Sequence, residues 1–194
     1  MRIVGGAHKG RKLQAPAGRE LRPTSERARE AVFNVIAHGL GGWAASESGG
    51  FEGKSIVDMF AGVGGLGLEA LSRGAARATF IDIDKGHLAI IQKNAAELGR
   101  WRDITLLKLD ATRLPPPARA VGAPCALAFL DPPYGQGMAS AALLGLTAKG
   151  WLAAGGLAVV EVAADEPLET PSALTLLDER TYGAARVVFL QNRA

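Results

Sequence analysis

The sequence contains almost none of the side chains that cross-link a chain or hold a metal ion. A single cysteine, Cys125, occurs among 194 residues, which excludes an internal disulfide and a cysteine metal cluster. The three histidines, His8, His38 and His87, lie too far apart for the ligand spacing of a metal site. We therefore expect neither a disulfide framework nor a bound metal.

Long hydrophobic runs are also missing. The most apolar tract, residues 142–164, is interrupted by Lys149, by Gly155 and Gly156, and by Glu161, so it predicts helix, turn and strand rather than a membrane span. The start of the chain lacks the apolar core of a secretory signal. With 48% hydrophobic residues, the chain can bury a real core. We expect a soluble, cytoplasmic monomer without a membrane partner.

Excess positive charge is confined to the N-terminal sixth of the chain. Residues 1–30 hold eight basic and three acidic side chains, a net charge of +5, whereas the whole chain carries +3. Such asymmetry is typical of an arm that binds a polyanion, although a solvated basic surface explains the charge equally well. The arm is predicted to be a β-hairpin that pairs residues 2–5 with residues 11–14. We expect residues 1–22 to form this arm and residues 23–194 the main domain.

The rest of the sequence alternates apolar strands with amphipathic helices. The first predicted helix, residues 23–39, has its apolar face at Ala28, Val32, Val35 and Ile36. Seven later segments are predicted to be strands: 55–60, 78–84, 104–110, 125–131, 157–163, 173–181 and 185–192. Helical segments separate most of the first five strands, and a tight turn joins the last two. The pattern predicts an α/β fold whose mainly parallel sheet is covered on both faces and closed at one edge by an antiparallel hairpin.

A glycine-rich loop follows the first of these strands. Gly62, Gly64 and Gly67 have the spacing of a nucleotide-binding turn between a strand and a helix. Glycines let the backbone approach a ligand closely, and an acid after the second strand can accept hydrogen bonds from a ribose. Carboxylates lie at three successive strand ends: Asp58, Asp82 and Asp110. They favour the cationic S-adenosylmethionine over a dinucleotide with its pyrophosphate, and a tight turn without a ligand is the plainer alternative.

The segment Asp131-Pro132-Pro133-Tyr134 follows the fourth strand. Proline fixes φ, and the residue before a proline favours extended geometry, so the turn is rigid. The Asp131 carboxylate and the Pro132 carbonyl can accept both hydrogens of an exocyclic amine and aim its nitrogen at an electrophile. Tyr134 offers a face on which an unstacked base can lie. A proline-rich turn with a packed tyrosine is the alternative, but beside the glycine loop the segment favours methyl transfer to an amine.

Over nearly its whole length the sequence resembles the RsmD family, the bacterial 16S ribosomal RNA guanine-N2 methyltransferases. The matching segments are RIVGGAHKGRKL, LRPTSERAREAVFN, DMFAGVGGLGLEALSRGA, ATFIDID and FLDPPYG. The first two are the specific ones, because glycine loops and DPPY turns also occur in DNA adenine methyltransferases. The resemblance implies a Rossmann-like class I methyltransferase fold with seven strands and a small N-terminal β-hairpin. It also implies that S-adenosylmethionine methylates a flipped-out guanine in 16S ribosomal RNA or an assembling small subunit.

The resemblance also implies roles for three groups of residues. The cofactor group is Asp58, Phe60, Gly62, Gly64, Asp82, Ile83, Asp110 and Ala111. The group that handles the target base is Asp131, Pro132 and Tyr134. The RNA-binding group is Arg2, Lys9, Arg11, Lys12, Arg22 and Arg27. Asp82 is preferred to Asp84 as the ribose ligand, and no role is assigned to residues 40–53 or 115–117.

Three alternatives remain open on the sequence alone. An adenine-N6 methyltransferase acting on DNA or RNA would use the same kind of exocyclic amine. An RNA-binding module could keep the fold without catalysis, although the complete glycine loop and DPPY turn argue against this. A nicotinamide-dependent enzyme would share the glycine spacing but would have no use for the rigid turn.

Overall fold

A computed structural model describes residues 1–16, 26–40 and 50–193, and these residues form a sheet with helices on both faces. The strands are β1 Ser55–Met59, β2 Arg77–Asp82, β3 Ile104–Lys108, β4 Cys125–Leu130, β5 Leu152–Ala163, β6 Leu174–Tyr182 and β7 Ala185–Asn192. The α-helices are α1 Glu26–Ala37, α2 Gly65–Ser72, α3 Lys85–Glu97 and α4 Met138–Ala148. The predicted start of the first helix and the boundary after residue 22 lie outside the described residues.

The seven strands are arranged in the order β3-β2-β1-β4-β5-β7-β6. The first five strands are parallel, whereas β7 pairs antiparallel with both β5 and β6. The predicted fold class, including the hairpin at one edge, is confirmed. The strand order reverses beside β1, whose neighbours are β2 and β4. Ligands of open α/β sheets bind at such a point, outside the carboxyl ends of the strands.

Two hydrophobic clusters cover the two faces of the sheet. In β1, Ile56 belongs to the cluster that includes α1, α2 and α3, whereas Val57 and Met59 belong to the cluster that includes α4. Both faces of the strand are buried, which explains its nearly continuous apolar sequence. In α1 the buried residues include Phe33, whose ring lies 5.3 Å from that of Phe129, and the predicted Val35 is half-buried and packs against the same cluster.

The N-terminal arm is less regular than the predicted hairpin. Arg2 and Lys12 form an isolated antiparallel bridge, and a short 3-10 helix, Gly6–His8, occupies the turn. The side chains of Ile3 and Leu13 are buried in the cluster that also contains α1 and α2. The arm therefore packs on the main body instead of extending away from it.

Two further differences concern the second half of the chain. The fifth strand begins at Leu152, five residues before the predicted start, because Leu152 already pairs with Cys125 across a register shift. The proline-rich loop before β4 contains two short 3-10 helices, Ala111–Arg113 and Arg119–Val121. Within the described part of the chain, no helix has the length and apolarity needed to cross a membrane.

Candidate active site

A cavity of about 880 Å³ opens at the carboxyl ends of the central strands. It extends from the glycine loop between β1 and α2 to the proline-rich turn between β4 and α4. Ten residues of the predicted cofactor and base groups lie in its wall: Asp58, Phe60, Gly62, Asp82, Ile83, Asp110, Ala111, Asp131, Pro132 and Tyr134. The structure thus brings the two motifs into one continuous space, as a reaction between ligands held at the two motifs requires.

Left-handed backbone geometry shapes the glycine loop. Phe60 has a φ of 61°, which is uncommon for a residue with a side chain, and Gly62 and Gly64 have φ values of 54° and 81°. Gly62 lies in the cavity wall, whereas Gly64 is the N-cap of α2 and faces the core beside Phe80. Gly67 allows α2 to pack on β2, because a β-carbon there would overlap the Phe80 ring.

Asp58 is buried beneath this loop, with 2% of its surface exposed. Its Oδ2 accepts a hydrogen bond from the Gly67 N–H at 2.8 Å, which joins β1 to the first turn of α2. Burial raises the pKa of Asp58 to about 8, the charge of Asp82 adds to the rise, and the Gly67 hydrogen bond opposes it. A cation bound nearby would favour the ionised carboxylate.

Asp82 and Asp84 follow one another at the end of β2 but have different contacts. The Asp82 carboxylate accepts the Gly62 N–H and the Asp84 N–H, both at 2.8 Å, and lies 3.2 Å from Nδ1 of His87. Asp84 instead caps α3 by accepting the Gly86 N–H at 2.7 Å. Asp82 is therefore oriented by the glycine loop itself, and its Oδ1, which accepts the Asp84 N–H, can still accept a further hydrogen bond.

The ends of β2 and β3 supply a further acid and some apolar surface. Asp110 accepts hydrogen bonds from the Thr112 hydroxyl at 2.6 Å and the Thr112 N–H at 2.9 Å, and these bonds lower the pKa of Asp110. Ile83 lies in the cavity wall with 66% of its surface exposed, and Ala111 is buried there. This end of the cavity thus combines an ionised acceptor with an apolar lining.

At the opposite end, acids on and after β5 hold the turn that follows β4. The Tyr134 hydroxyl donates to Oε1 of Glu161 at 2.6 Å. The Gly135 N–H donates to Glu166 at 2.8 Å, which fixes the chain directly after the tyrosine. The Tyr134 ring is thereby anchored at its hydroxyl, in the wall that it shares with the half-buried Asp131.

Five polar or sulfur-containing residues of the wall were not predicted from the sequence: Met1, Arg29, His87, Met138 and Glu161. Two of them carry a signal that could have been used. Arg29 lies on the face of α1 that also carries Val32 and Ile36, a face that is otherwise apolar. Glu161 is a carboxylate within the apolar run of β5. A charged residue on the buried side of an element is unusual, and in both cases the side chain reaches the cavity.

The predicted RNA-binding residues lie apart from this cavity. Arg27 on α1 is exposed, and so are the four members on the arm: Arg2, Lys9, Arg11 and Lys12. Arg2 forms an exposed ion pair with Glu26 at 3.0 Å. Arg22 falls outside the described residues. None of the described members of this group contributes to the cavity wall.

A family model described as conserved hypothetical protein 95 matches residues 1–191 of the chain. Ribosomal RNA small subunit methyltransferase D of Escherichia coli strain K12 is 34% identical, with 100% of this chain and 91% of the relative covered. The protein of the same name from Haemophilus influenzae is 33% identical, with 99% of this chain and 94% of the relative covered. The solved structure of yhhF from Escherichia coli has a TM-score of 0.82 at 30% identity, with 100% and 98% of the two chains covered.

Proposed function

Because the chain belongs to the RsmD family of methyltransferases, we propose that it uses S-adenosylmethionine to methylate the N2 amine of a guanine in 16S ribosomal RNA. The observation that carries the proposal is the single cavity shared by the glycine loop and the turn at residues 131–134. One end suits a nucleoside-bearing cofactor, and the other suits an exocyclic amine.

The residues at the glycine-loop end fit this cofactor. Small-molecule sites have volumes of about 300 to 1,000 Å³, and this cavity has about 880 Å³. Asp82 and Asp110 give the site a negative potential that suits a ligand with an ammonium and a sulfonium, whereas they would repel a pyrophosphate. Asp82 would hold the ribose hydroxyls, and Ile83 and Ala111 would cover the adenine while Asp110 accepts from its amine.

The turn at the other end would align the target amine with the methyl group of the cofactor, and no covalent intermediate with the protein is needed. S-adenosylmethionine, when bound, supplies an electrophilic methyl group on a sulfonium. The Asp131 carboxylate and the Pro132 carbonyl accept the two amine hydrogens and so direct the nitrogen lone pair. Tyr134 stacks on the base, with its ring held by the hydrogen bond to Glu161. The amine gains a methyl group and loses one proton, for which Asp131 is the nearby acceptor.

Two further observations favour an RNA substrate. The relatives named above are ribosomal RNA methyltransferases, and the arm of this chain presents exposed basic side chains. The turn alone would serve an adenine-N6 amine equally well, so the choice of guanine rests on the family. A module that only binds RNA is a poorer explanation, since the cofactor and base residues share one cavity.

Methyl transfer from labelled S-adenosylmethionine to unmethylated small ribosomal subunits tests the proposal. Asp131→Asn should lower the rate by at least about 100-fold, because alignment and proton acceptance both use this carboxylate. RNA affinity should remain as in the unaltered protein. Asp165→Asn is the matched control, since Asp165 is an exposed carboxylate that the cavity wall does not include.

The methylated nucleoside identifies the target. N2-methylguanosine in the digested RNA supports the proposal, whereas N6-methyladenosine, or methylation of duplex DNA in its place, would establish the rival activity. Full activity of Asp131→Asn would reject the role of this side chain. RNA binding without any methyl transfer by the unaltered protein would favour the noncatalytic module.

A further inference from the structure

The charges in the cavity wall are distributed unevenly. Carboxylates occur along its whole length: Asp58, Asp82, Asp84, Asp110, Asp131 and Glu161. Arg29 is the one arginine or lysine among the described residues of the wall. It belongs to the glycine-loop end, because a β-carbon built on Gly65 would lie 3.9 Å from its Nη1. An acidic cavity with one cation at that end is suited to a ligand that carries both signs of charge.

Arg29 is unusually placed for an arginine. Only 1% of its surface is exposed, and it lies on the apolar face of α1. Its Nη2 donates to the Arg2 carbonyl, whereas its buried Nε–H has no hydrogen-bond partner among the described residues. A buried donor without a partner is costly, so a group that accepts from it would stabilise the site.

The charge of Arg29 is only partly balanced. The nearest carboxylate of an ion pair is that of Glu69, whose Oε2 lies 3.9 Å from the Arg29 Nε. Glu69 is closer to Arg73, at 2.8 Å, and also accepts the Val4 N–H at 2.8 Å. Arg29 and Glu69, which are buried, and the partly exposed Arg73 therefore carry a net positive charge together. Burial and the neighbouring Arg73 lower the pKa of Arg29, while Glu69 opposes the change.

We propose that Arg29 binds the α-carboxylate of the amino-acid end of S-adenosylmethionine. This inference rests on the proposed function and adds a residue that recognises one group of its cofactor. Asp58, on the same side of the cavity, would face the α-ammonium, whose positive charge favours the ionised form of this carboxyl. A phosphate of ribosomal RNA is a poorer partner for Arg29, because Arg29 lies in the cavity wall, to which none of the described residues of the RNA-binding group contributes.

The contribution of the α-carboxylate to binding can be measured with two ligands that differ only in this group. S-adenosylhomocysteine has both the amine and the carboxylate, and its decarboxylated analogue keeps only the amine. Isothermal calorimetry with the unaltered protein should show that loss of the carboxylate weakens binding by about 10- to 100-fold, the usual value of a charged hydrogen bond. If neither ligand binds, the proposed function itself fails. If both bind equally, only the role of Arg29 fails.

Variants then assign the effect to Arg29. In Arg29→Met the two ligands should bind with affinities within about threefold of each other, because the charged hydrogen bond has been removed. Arg29→Lys should restore part of the difference. Arg73→Met is the matched control, since Arg73 shares Glu69 but is not in the cavity wall, and it should keep the full difference. A full difference in Arg29→Met would overturn the proposal and assign the carboxylate to the backbone of the glycine loop.

A measurement on the unaltered protein guards against variants that do not fold. The Nε–Hε signal of Arg29, assigned through bonds in a nitrogen-15 spectrum, should shift with S-adenosylhomocysteine and shift far less with the decarboxylated analogue. A purely structural arginine that holds the arm would respond equally to both ligands. Equal shifts, or no shift with either bound ligand, would therefore overturn the proposal.

Discussion

Asp58 is more deeply buried than the other acids of the cavity wall, and its protonation depends on what is bound. In the folded protein burial raises its pKa to about 8, against an ordinary value of 3.8. Between pH 4 and pH 8 the folded chain therefore holds a proton that the unfolded chain has released. Stability contributed by this group is complete at low pH and falls as the pH rises toward 8.

Asp58→Asn removes this dependence, because asparagine does not titrate and can still accept the Gly67 N–H. The melting temperature of the ligand-free variant should exceed that of the unaltered protein increasingly between pH 5 and pH 8. Each pH unit in this window costs the unaltered protein at most about 1.4 kcal/mol, or about 3 to 6 °C. Asp165→Asn, on the surface, should show a constant difference. A gap for Asp58→Asn that does not change with pH would contradict the assigned pKa.

The residues that the sequence predicted and those that it missed differ in how they reach the cavity. Asp58, Asp82 and Asp131 lie at or next to the carboxyl ends of their strands. Because these ends meet on the same side of a parallel sheet, strand prediction alone brings the three acids together. Arg29 and Glu161 enter the wall through the packing of α1 and the position of β5. Their contacts join residues far apart in the chain, as in the bond between Tyr134 and Glu161. No local pattern encodes such pairs.

The arm is attached to α2 and α3 through buried polar side chains. The Ser72 hydroxyl donates to the Gly5 carbonyl at 2.6 Å and accepts the His8 N–H at 3.0 Å. Asn94 accepts the Gln14 N–H at 2.7 Å and donates to the Val63 carbonyl in the glycine loop at 3.2 Å. Each bond contributes about 1 kcal/mol, and together they connect the arm with the cavity wall.

Substitutions at two glycines of the arm distinguish the effect of losing its attachment to Ser72 from the effect of backbone strain. Gly6 and Gly10 have φ values of 74° and 84°, but a β-carbon would overlap the Ser72 carbonyl at Gly6 and meet nothing within 4 Å at Gly10. Gly10→Ala should lower the free energy of unfolding by about 1 kcal/mol, from the left-handed backbone alone. Gly6→Ala should lower it by about 2 kcal/mol more, because both Ser72 hydrogen bonds are also lost. Denaturant unfolding measures both variants, and equal losses would show that the arm is not fixed at Ser72.

The attachment also explains why the arm was predicted less accurately than the sheet. Alternating apolar strands and helices determine a parallel sheet because each element must bury one face or both. Of residues 1–16, the part of the arm that the structure describes, only Ile3 and Leu13 are buried in the core, and hydrogen bonds to Glu69, Ser72 and Asn94 set the path of this segment. Those partners are 64 to 80 residues away in the sequence. The short alternating pattern of the arm therefore predicts a hairpin but cannot predict these distant hydrogen bonds.

Acidic and basic side chains occupy different regions of the molecule. The cavity wall is acidic, whereas the arm presents Lys9, Arg11 and Lys12 to solvent beside α2 and α3. Burial and then the positive charges of Arg100 and Arg11 lower the pKa of His8, as expected on a basic surface. A polyanion would be attracted to the arm and repelled from the cavity, which leaves the cavity for a cationic cofactor and a single base.

Neutralising Lys9 and Arg11 together should therefore weaken RNA binding without changing cofactor affinity. If both side chains meet phosphates, the slope of log K against log salt concentration should fall by about 1.4 to 2 units. Binding of a ribosomal RNA fragment at several salt concentrations measures this slope. The matched control neutralises Lys149, an exposed residue directly after α4, and Arg180, an exposed residue on β6, and its slope should stay close to that of the unaltered protein. A slope that does not change in the arm variant would show that its positive charges only contact solvent.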